Sequence, residues 1–231
     1  MAEVRTARQR ARAETTEQIK DIARSHLAVD GPNLSLRAVA RDLGVVSSAI
    51  YRYFASRDDL LTALILDAYA ALGSAVEQAE ARVPRRDLHG RWIAMGRATR
   101  DWARRYPHEY ALIYGSPVPG YAAPRETVVE AQRPLVVAVA ILGDGVERGA
   151  VTAPADRLPK AVRASAESVR TYPGFERVPA TLLTRALAMW AQLYGAISFE
   201  LFGRYRNSGI DEEAEFEHQL KVMSQYLGLS R

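Results

Sequence analysis

The stretch from Ser35 to Phe54, SLRAVARDLGVVSSAIYRYF, carries two short amphipathic runs separated by a single glycine. Apolar residues recur three and four positions apart in each run, which predicts two helices. The chain between them is too short for a long loop, and Gly44 can take the left-handed conformation that ends one helix and turns into the next. The two helices are therefore locked close together, as in a helix-turn-helix.

A helix-turn-helix needs small and apolar residues where its helices cross, and this stretch supplies them. Ala40 is small where the second helix must approach closely, and Val45 and Ile50 are placed to fill the crossing. The residues that we expect at buried positions of the motif are Val39, Ala40, Leu43, Gly44, Val45, Ile50 and Tyr53. The alternative is an ordinary helical hairpin in a protein core. The residues on the exposed face of the second helix must distinguish these two interpretations.

Nearly every other periodic segment also repeats at three and four residues, so we expect an all-α fold. Segments rich in turn-forming residues interrupt the helices at residues 29–33, 115–124, 171–179 and 206–209. SRDDLLTALILDAYAAL is predicted to be one helix with Ser56 as its N-cap. We therefore expect a three-helix domain over residues 1–60, whose first helix begins near Glu14, and a larger helical domain over residues 61–231.

The composition excludes several classes of function. Without cysteine there is no disulfide, thiolate zinc site or thiol nucleophile, and the histidines lack metal-ligand spacing. No nucleophile–base motif or phosphate loop is found, so we expect no catalytic residue, metal or cofactor. The uncharged run Ala186–Phe199 is shorter than the ~18 residues of a membrane span, and the N-terminus lacks the apolar segment of a signal peptide. We expect a cytoplasmic protein without membrane contact.

Basic residues are concentrated around Gly44, although the net charge of the whole chain is only +4. Four arginines and one aspartate lie between residues 35 and 57. The short side chains of Ser47, Ser48 and Ala49 would let the second helix enter a major groove of DNA and contact base edges. The residues predicted to contact phosphates are Tyr51, Arg52, Tyr53 and Arg57. A flexible basic arm that follows phosphates or a minor groove would contain Arg5, Arg8, Arg10 and Arg12.

The stretch SLRAVARDLGVVSSAIYRYFASRDDLL closely resembles the DNA-binding signature of the tetracycline-repressor (TetR) family. The shared features are a helix, a Gly-Val turn, a serine-containing reading helix, a Tyr-x-Tyr-Phe cluster and a basic residue that opens the next helix. The resemblance implies base contacts from Ser47 to Ala49 and phosphate contacts from Tyr51, Tyr53 and Arg57. It also implies support from Ser35 and Arg37 on the preceding helix.

Two later stretches, PHEYALIYGSPVPGYAAP and WAQLYGAISFELFG, resemble the C-terminal domain of the WHG subset of these regulators. The chain has Tyr194-Gly195 where that subset commonly has His-Gly. The resemblance implies an N-terminal DNA-binding domain joined to a helical ligand-binding and dimerisation domain. It predicts a repressor that binds a palindromic DNA operator as a homodimer and releases it when an unidentified small molecule binds.

The last two predicted helices have apolar residues at steps of three and four, and the first of them is apolar nearly all round. Such a helix must be covered on both sides, either by its own subunit and a second copy in a four-helix interface, or wholly inside a monomer. The residues predicted for the dimer interface are Leu183, Leu187, Trp190, Tyr194, Ile197, Leu201, Phe216, Leu220, Met223 and Leu227.

An aromatic stripe in the C-terminal domain could line an effector cavity, although aromatic stripes are more often core. The residues predicted for effector contact are Trp92, Trp102, Tyr114 and Phe199. Residues 82–105 hold eight arginines and two acids, which could face DNA, attract an anionic effector or form a solvated face. Two rival functions remain open at this point: a helical enzyme that uses the cavity, and a DNA-binding regulator without a ligand.

Overall fold

The structure, a computed structural model, describes residues 6–31 and 34–229, and it confirms the predicted all-α fold. The α-helices in those residues are α1 (Ala7–Asp30), α2 (Leu36–Asp42), α3 (Ser47–Ile50), α4 (Arg57–Ala81), α5 (Leu88–Arg105), α6 (Pro107–Tyr114), α7 (Thr127–Glu147), α8 (Lys160–Val169), α9 (Ala180–Leu201) and α10 (Glu212–Tyr226). A short 3₁₀ helix, Phe175–Arg177, precedes α9.

The chain divides into two units, and the division differs from the predicted boundary at residue 60. The first unit takes the described parts of Met1–Ala68 together with Tyr106–Val128, and the remaining described residues form the second. Residues 106–128 join the first unit because they pack on its helices. Val118 is buried in the same apolar core, and the hydroxyl oxygens of Tyr121 and Thr62 lie 2.9 Å apart.

The core of the first unit joins all four of its leading helices. Ile19 and Ala23 of α1, Val39 of α2, Ile50 of α3 and Leu60 of α4 have at most 1% of their surface exposed. Burial of a large aliphatic side chain of this kind contributes roughly 1.5–3 kcal/mol. The short helix α3 is therefore held in place by tertiary packing rather than by its own length.

Helix α1 begins at Ala7, earlier than the predicted start near Glu14 and inside the segment predicted to be a flexible arm. Thr6 and Gln9 cap it reciprocally: the Gln9 amide donates to Thr6 Oγ1 at 3.3 Å, and the Thr6 amide donates to Gln9 Oε1 at 2.7 Å. The flexible-arm prediction is therefore wrong for residues 7–12, and Arg5 lies outside the described residues.

Helix α4 confirms the helix predicted after Ser56, whose Oγ accepts a hydrogen bond from the Asp59 amide at 3.1 Å. With 25 residues and a mean hydropathy of 1.5 over its most apolar window, α4 is long and apolar enough to cross a membrane by length and composition. Apolar residues of α4 pack inside the protein: Leu60, Leu61 and Leu64 are buried in the core of the first unit. Of the apolar window as a whole, 44% is buried inside the protein.

In the second unit, α5, α9 and α10 pack against one another. The indole Nε1 of Trp92 on α5 donates to the carbonyl oxygen of Leu220 on α10 at 3.1 Å. A buried ionic contact ties α5 to two other helices. Arg91, which has no exposed surface, donates through Nε to Glu80 at 2.5 Å and through Nη1 to Asp144 at 2.8 Å. The core of this unit therefore contains paired charges as well as apolar side chains.

Candidate nucleic-acid interface

The turn between α2 and α3 is built on Gly44, as predicted. Its φ angle is 74°, in the left-handed region that glycine adopts without steric cost. The Gly44 amide donates to the Arg41 carbonyl at 3.1 Å, and the Val45 amide donates to the Ala40 carbonyl at 3.0 Å. These bonds satisfy the last carbonyls of α2 and direct the chain into α3.

The inner face of the motif holds α3 from behind. Val39 and Ala40 of α2 and Ile50 of α3 are at most 1% exposed, and Phe54 is buried beside them. Val45 was predicted to share this core, but 38% of its surface is exposed. That part of the prediction is wrong, because Ile50 and Phe54 fill the crossing instead.

The outer face of α3 carries the residues predicted to contact bases. Ser47 and Ser48 are exposed and Ala49 is half-buried, so the side chains at the start of the helix remain accessible. The helix is shorter than the second amphipathic run of the sequence, which continues to Phe54 and was predicted to be helical throughout. It ends at Ile50, and the Arg52 and Tyr53 amides then bond to carbonyls three residues back, as in a 3₁₀ turn.

Three further residues of the predicted DNA-binding set lie on the open surface: Arg37, predicted to support from the preceding helix, and Tyr51 and Arg52, predicted to contact phosphates. Half of the surface of Tyr51 is exposed. Within the described part of the chain, no carboxylate lies within ion-pair distance of Arg37 or Arg52. Their guanidinium groups can therefore pair with an incoming phosphate without breaking an internal contact.

The other three predicted DNA contacts are already engaged within the protein. The Ser35 hydroxyl caps α2 by accepting from the Ala38 amide at 3.4 Å. Arg57 is half-buried, with its Nη1 atom 3.6 Å from a carboxylate oxygen of Asp58. Tyr53 is half-buried against the core of the first unit. These residues can support the surface, but they offer less free hydrogen-bonding capacity than Arg37 or Arg52.

Val46 was not among the predicted contacts, yet 71% of its surface is exposed next to Ser47. It is the N-cap residue of α3 and provides no side-chain cap hydrogen bond. An apolar residue in place of a capping one usually costs roughly 0.5–2 kcal/mol. Exposed methyl groups at this position can contact the methyl group of thymine in a major groove. The missing cap was the signal in the sequence that could have identified this residue.

Asp42 is the one acid of the motif, and its charge is compensated. Its carboxylate lies 2.7 Å from His26 Nε2 on α1 and 3.3 Å from Arg41 Nε. The hydrogen bond with His26, helped by Arg41, holds the pKa of Asp42 below its ordinary value. The ionised Asp42 is thus used to join α2 to α1.

Comparison with known proteins agrees with this geometry. Residues 19–64 match the family described as bacterial regulatory proteins, tetR family, and residues 92–223 match the tetracyclin repressor-like C-terminal domain. The HTH-type transcriptional regulator Rv1816 of Mycobacterium tuberculosis (strain ATCC 25618 / H37Rv) is 39% identical over 203 residues, which cover 86% of this chain and 85% of that protein. The chain belongs to the TetR family. It is therefore a DNA-binding transcriptional regulator and not an enzyme, which removes the helical-enzyme alternative.

Solved structures support the same TetR fold. SCO4313, described as a regulatory protein, is 35% identical, has a TM-score of 0.75 and covers 94% of this chain and 98% of its own. The TetR family transcriptional regulator PfmR from Thermus thermophilus is 19% identical and has a TM-score of 0.58. That alignment covers 92% of this chain and 99% of PfmR. At this identity the likeness to PfmR shows the fold alone.

The residues predicted for effector contact in this TetR protein occupy different surroundings. Tyr114 belongs to the first unit, and the other three belong to the second. Trp92 and Trp102 are buried, whereas 53% of the surface of Phe199 is exposed. A groove of about 380 Å³ in the second unit is lined by charged rather than aromatic residues: Arg97, Arg100, Asp101, Glu213, Glu217 and Lys221. Effector contact by the four aromatic residues stays a prediction.

The predicted dimer contacts need a correction, because most of them are buried within one chain. At most 8% of the surface is exposed for seven of the ten: Leu183, Tyr194, Ile197, Phe216, Leu220, Met223 and Leu227. Leu187, Trp190 and Leu201 are half-buried. The apolar stripe therefore marks the face that each helix turns to its own core. Periodicity alone does not distinguish that face from one covered by a second copy.

Proposed function

We propose that this TetR regulator is a homodimeric, ligand-responsive repressor that binds a palindromic DNA operator in the cytoplasm. The observation that carries the proposal is the exposed start of α3, where Ser47 and Ser48 stand on a helix held from behind by Ile50. Short side chains let the helix approach base edges closely, and the exposed guanidinium groups of Arg37 and Arg52 supply charge for phosphates.

Selection of bound sequences from random duplex DNA tests this function. We expect a palindrome with half-sites about 34–36 Å apart, because a two-fold dimer presents two reading helices to successive turns of one DNA face. An enriched site without two-fold symmetry would contradict binding as a dimer. No enrichment at all would contradict sequence-specific recognition.

The outward face of α9 is the surface that supports a homodimer. Ala188 and Ala191 are exposed, and a Cβ atom added at Gly195 would meet no atom within 4 Å beyond its chain neighbours and the backbone of its own helix. Phe199 and Phe202 continue the same face with 53% and 46% of their surface exposed. The residues from Ala188 to Phe199 follow one another at steps of three and four, so they share one side of α9, and Phe202 is the residue that caps its C-terminal end. Small residues beside exposed phenylalanines would let a second helix pack closely.

Helix α10 adds apolar surface of the same kind, since Val222 and Tyr226 are 41% and 47% exposed. A four-helix contact made by α9 and α10 of two copies would cover these side chains. Ala191→Arg should break this contact, whereas Ala164→Arg on the exposed side of α8 is the matched control. Sedimentation should find a monomer for the first variant and a dimer for the second. A dimer in both would contradict this face as the interface.

The proposed ligand response needs a connection between the second unit and the reading helices, and α4 contributes residues to both units. To move a population from 1:99 to 99:1, a ligand must favour the non-binding conformation by about 5.5 kcal/mol. Proline at Leu64 would damage the core, because only 2% of Leu64 is exposed. Proline at the exposed Ala71 interrupts α4 without removing a core side chain, although the lost backbone hydrogen bond costs about 3 kcal/mol.

Ligand coupling is tested by measuring whether a small molecule that releases DNA from the wild-type protein still does so in Ala71→Pro. We expect release to be lost in Ala71→Pro and kept in Ala71→Ser. Retained release in the proline variant would contradict α4 as the connection. A protein whose DNA affinity no small molecule changes would favour the regulator without a ligand.

The sign of regulation is tested separately. A repressor bound at the selected operator should lower transcription from a promoter that overlaps it, because the bound dimer excludes the polymerase. A reporter with the operator placed across its promoter measures this effect directly. Higher expression in the presence of the protein would contradict repression.

A further inference from the structure

The first turns of α1 extend beyond the core of their unit. The first buried residue of the helix is Ile19, and the residues from Ala7 to that point are exposed or half-buried. Arg8 and Arg10 lie in the first turn, which has no acidic residue, although positive charge is unfavourable at a helix N-terminus. Besides the local cap made by Thr6 and Gln9, a tertiary contact holds these turns.

Arg12 makes that contact, and it does so with the segment that directly follows α3. Its Nη2 atom donates to the carbonyl oxygen of Arg52 at 2.9 Å. Its guanidinium carbon lies 5.2 Å from the centroid of the Tyr53 ring, within the range of a cation–π contact. The Arg12 side chain thus contacts both the backbone and an aromatic ring of this turn, which lies 40 positions later in the sequence.

The segment that Arg12 contacts also carries the proposed phosphate contacts. Tyr51 and the Arg52 guanidinium group are exposed, while Tyr53 packs partly against the core. Backbone hydrogen bonds hold the turn on its inner side. The amides of Tyr53 and Phe54 both donate to the Ile50 carbonyl oxygen, at 2.8 and 3.0 Å. Arg12 adds a restraint from the α1 side. Its guanidinium group is already committed to that restraint and is less available to DNA.

We infer that Arg12 is a positioning residue for DNA recognition: it fixes the turn from Arg52 to Tyr53 so that the neighbouring side chains meet phosphates, and it does not itself neutralise a phosphate. This inference rests on the proposed DNA-binding function. It also explains why α1 begins so far ahead of its buried part. The extension carries Arg12 to the reading segment.

The salt dependence of DNA binding separates a positioning role from a phosphate contact. Each phosphate contact contributes about −0.9 to the slope of log affinity against log salt. With the duplex enriched by selection, Arg12→Gln should weaken binding about tenfold and leave the slope unchanged, since it removes a hydrogen bond and a cation–π contact. Arg52→Gln, in contrast, should flatten the slope by about 0.9. Arg12→Lys should recover part of the affinity, because an ammonium group can donate one hydrogen bond and lie over the ring.

A measurement without DNA tests the same contact in the free protein. Amide hydrogen exchange at Tyr53 and Phe54 should be faster in Arg12→Gln than in the wild type, and unchanged in the matched variant Arg8→Gln. A slope flattened by Arg12→Gln, or exchange that this variant does not change, would overturn the inference. If the wild type enriches no duplex, the proposed function fails, and the exchange result alone decides whether Arg12 holds the turn.

Discussion

Two arginines on the helix-turn-helix surface and two arginines in the core of the second unit have opposite surroundings. On the helix-turn-helix surface, Arg37 and Arg52 are exposed, and no carboxylate in the described residues is within ion-pair distance of them. In the second unit, Arg91 and Arg100 are buried and each is bound by two carboxylates. The number of arginines therefore does not identify a DNA-binding surface, because buried arginines such as Arg91 and Arg100 are already bound by carboxylates of the protein.

The segment from residue 82 to residue 105 shows this most clearly. Its eight arginines and two acids make it more basic than the helix-turn-helix stretch. Five of its arginines nevertheless pair with carboxylates outside the segment: Arg85, Arg91, Arg97, Arg100 and Arg104. A segment that is strongly positive in sequence is largely compensated in the folded unit, so it does not support a second DNA-binding face.

The largest difference between the two kinds of arginine should appear in stability. Arg91→Gln leaves Glu80 and Asp144 buried with one partner fewer, and we expect the free energy of unfolding to fall by roughly 3 kcal/mol. Arg37→Gln is the matched control and should change it by less than about 0.5 kcal/mol, because Arg37 is exposed. Urea unfolding measures both. Equal losses would remove the distinction between internal and free arginines.

An added carboxylate should weaken DNA binding when it lies on the first unit, and should have almost no effect on DNA binding when it lies on the second. Ser48→Glu puts a negative charge at the start of α3, where it would face phosphates, and we expect operator affinity to fall roughly 100-fold. Ser165→Glu places the same charge on exposed α8 and should leave the affinity nearly unchanged. Fluorescence anisotropy with a labelled duplex measures the two. Similar affinities for both variants would contradict α3 as the DNA-contacting helix.

The helix-turn-helix was predictable because its determinants lie close together in sequence. Gly44, the cap at Ser56 and the spacing of Val39, Ala40 and Ile50 act within a few residues, so their pattern is visible without a structure. The start of α1 is the exception in this unit. Its tertiary anchor is the contact from Arg12 to Arg52, and nothing near Arg12 in the sequence indicates that partner.

The second unit was less predictable because its contacts join distant segments. Periodicity correctly identified an apolar face on α9, but it did not show that this face turns inward and that Ala191 and Phe199 face outward. Similarly, the pairing of Arg100 with Glu200 joins residues 100 positions apart. The amino-acid composition gives the charge of a segment, but only the folded structure shows which carboxylates pair with its arginines.

Acid should weaken the internal pairs of the second unit. Burial alone would raise the pKa of Asp144, but hydrogen bonds from Arg177 and Arg91 outweigh burial and hold the pKa below its ordinary value. The hydrogen bond from Arg177 also lowers the pKa of Glu147. Carboxyl groups with depressed pKa values contribute stability above their unfolded pKa, and this contribution is lost as pH falls through the folded pKa. We therefore expect the Tm to fall below about pH 4.

The control for this pH effect is Arg177→Gln, which removes a partner from both carboxylates. Its Tm should be lower than that of the wild type at neutral pH and should depend less on pH in the acidic range. Arg37→Gln should keep the wild-type profile. A profile for Arg177→Gln that runs parallel to the wild type would contradict the assigned pairs.

The smallest expected effect concerns Val46, where the DNA-binding surface departs from good helix capping. Val46→Ser supplies a cap for α3 and should raise the free energy of unfolding by about 0.5–1 kcal/mol. It should also weaken operator binding, because the exposed methyl groups are lost. Thermal unfolding and anisotropy measure the two changes. Tighter binding together with higher stability would show that Val46 has no role in recognition.

The most direct test of the central claim is the salt dependence of operator binding for the wild type and the double variant Arg37→Gln/Arg52→Gln. If these exposed guanidinium groups pair with phosphates, log affinity falls linearly with log salt, and the double variant flattens the slope by about 1.8. A wild-type affinity that does not change with salt, or equal slopes for the two proteins, would contradict the claim that the free arginines of the helix-turn-helix bind DNA.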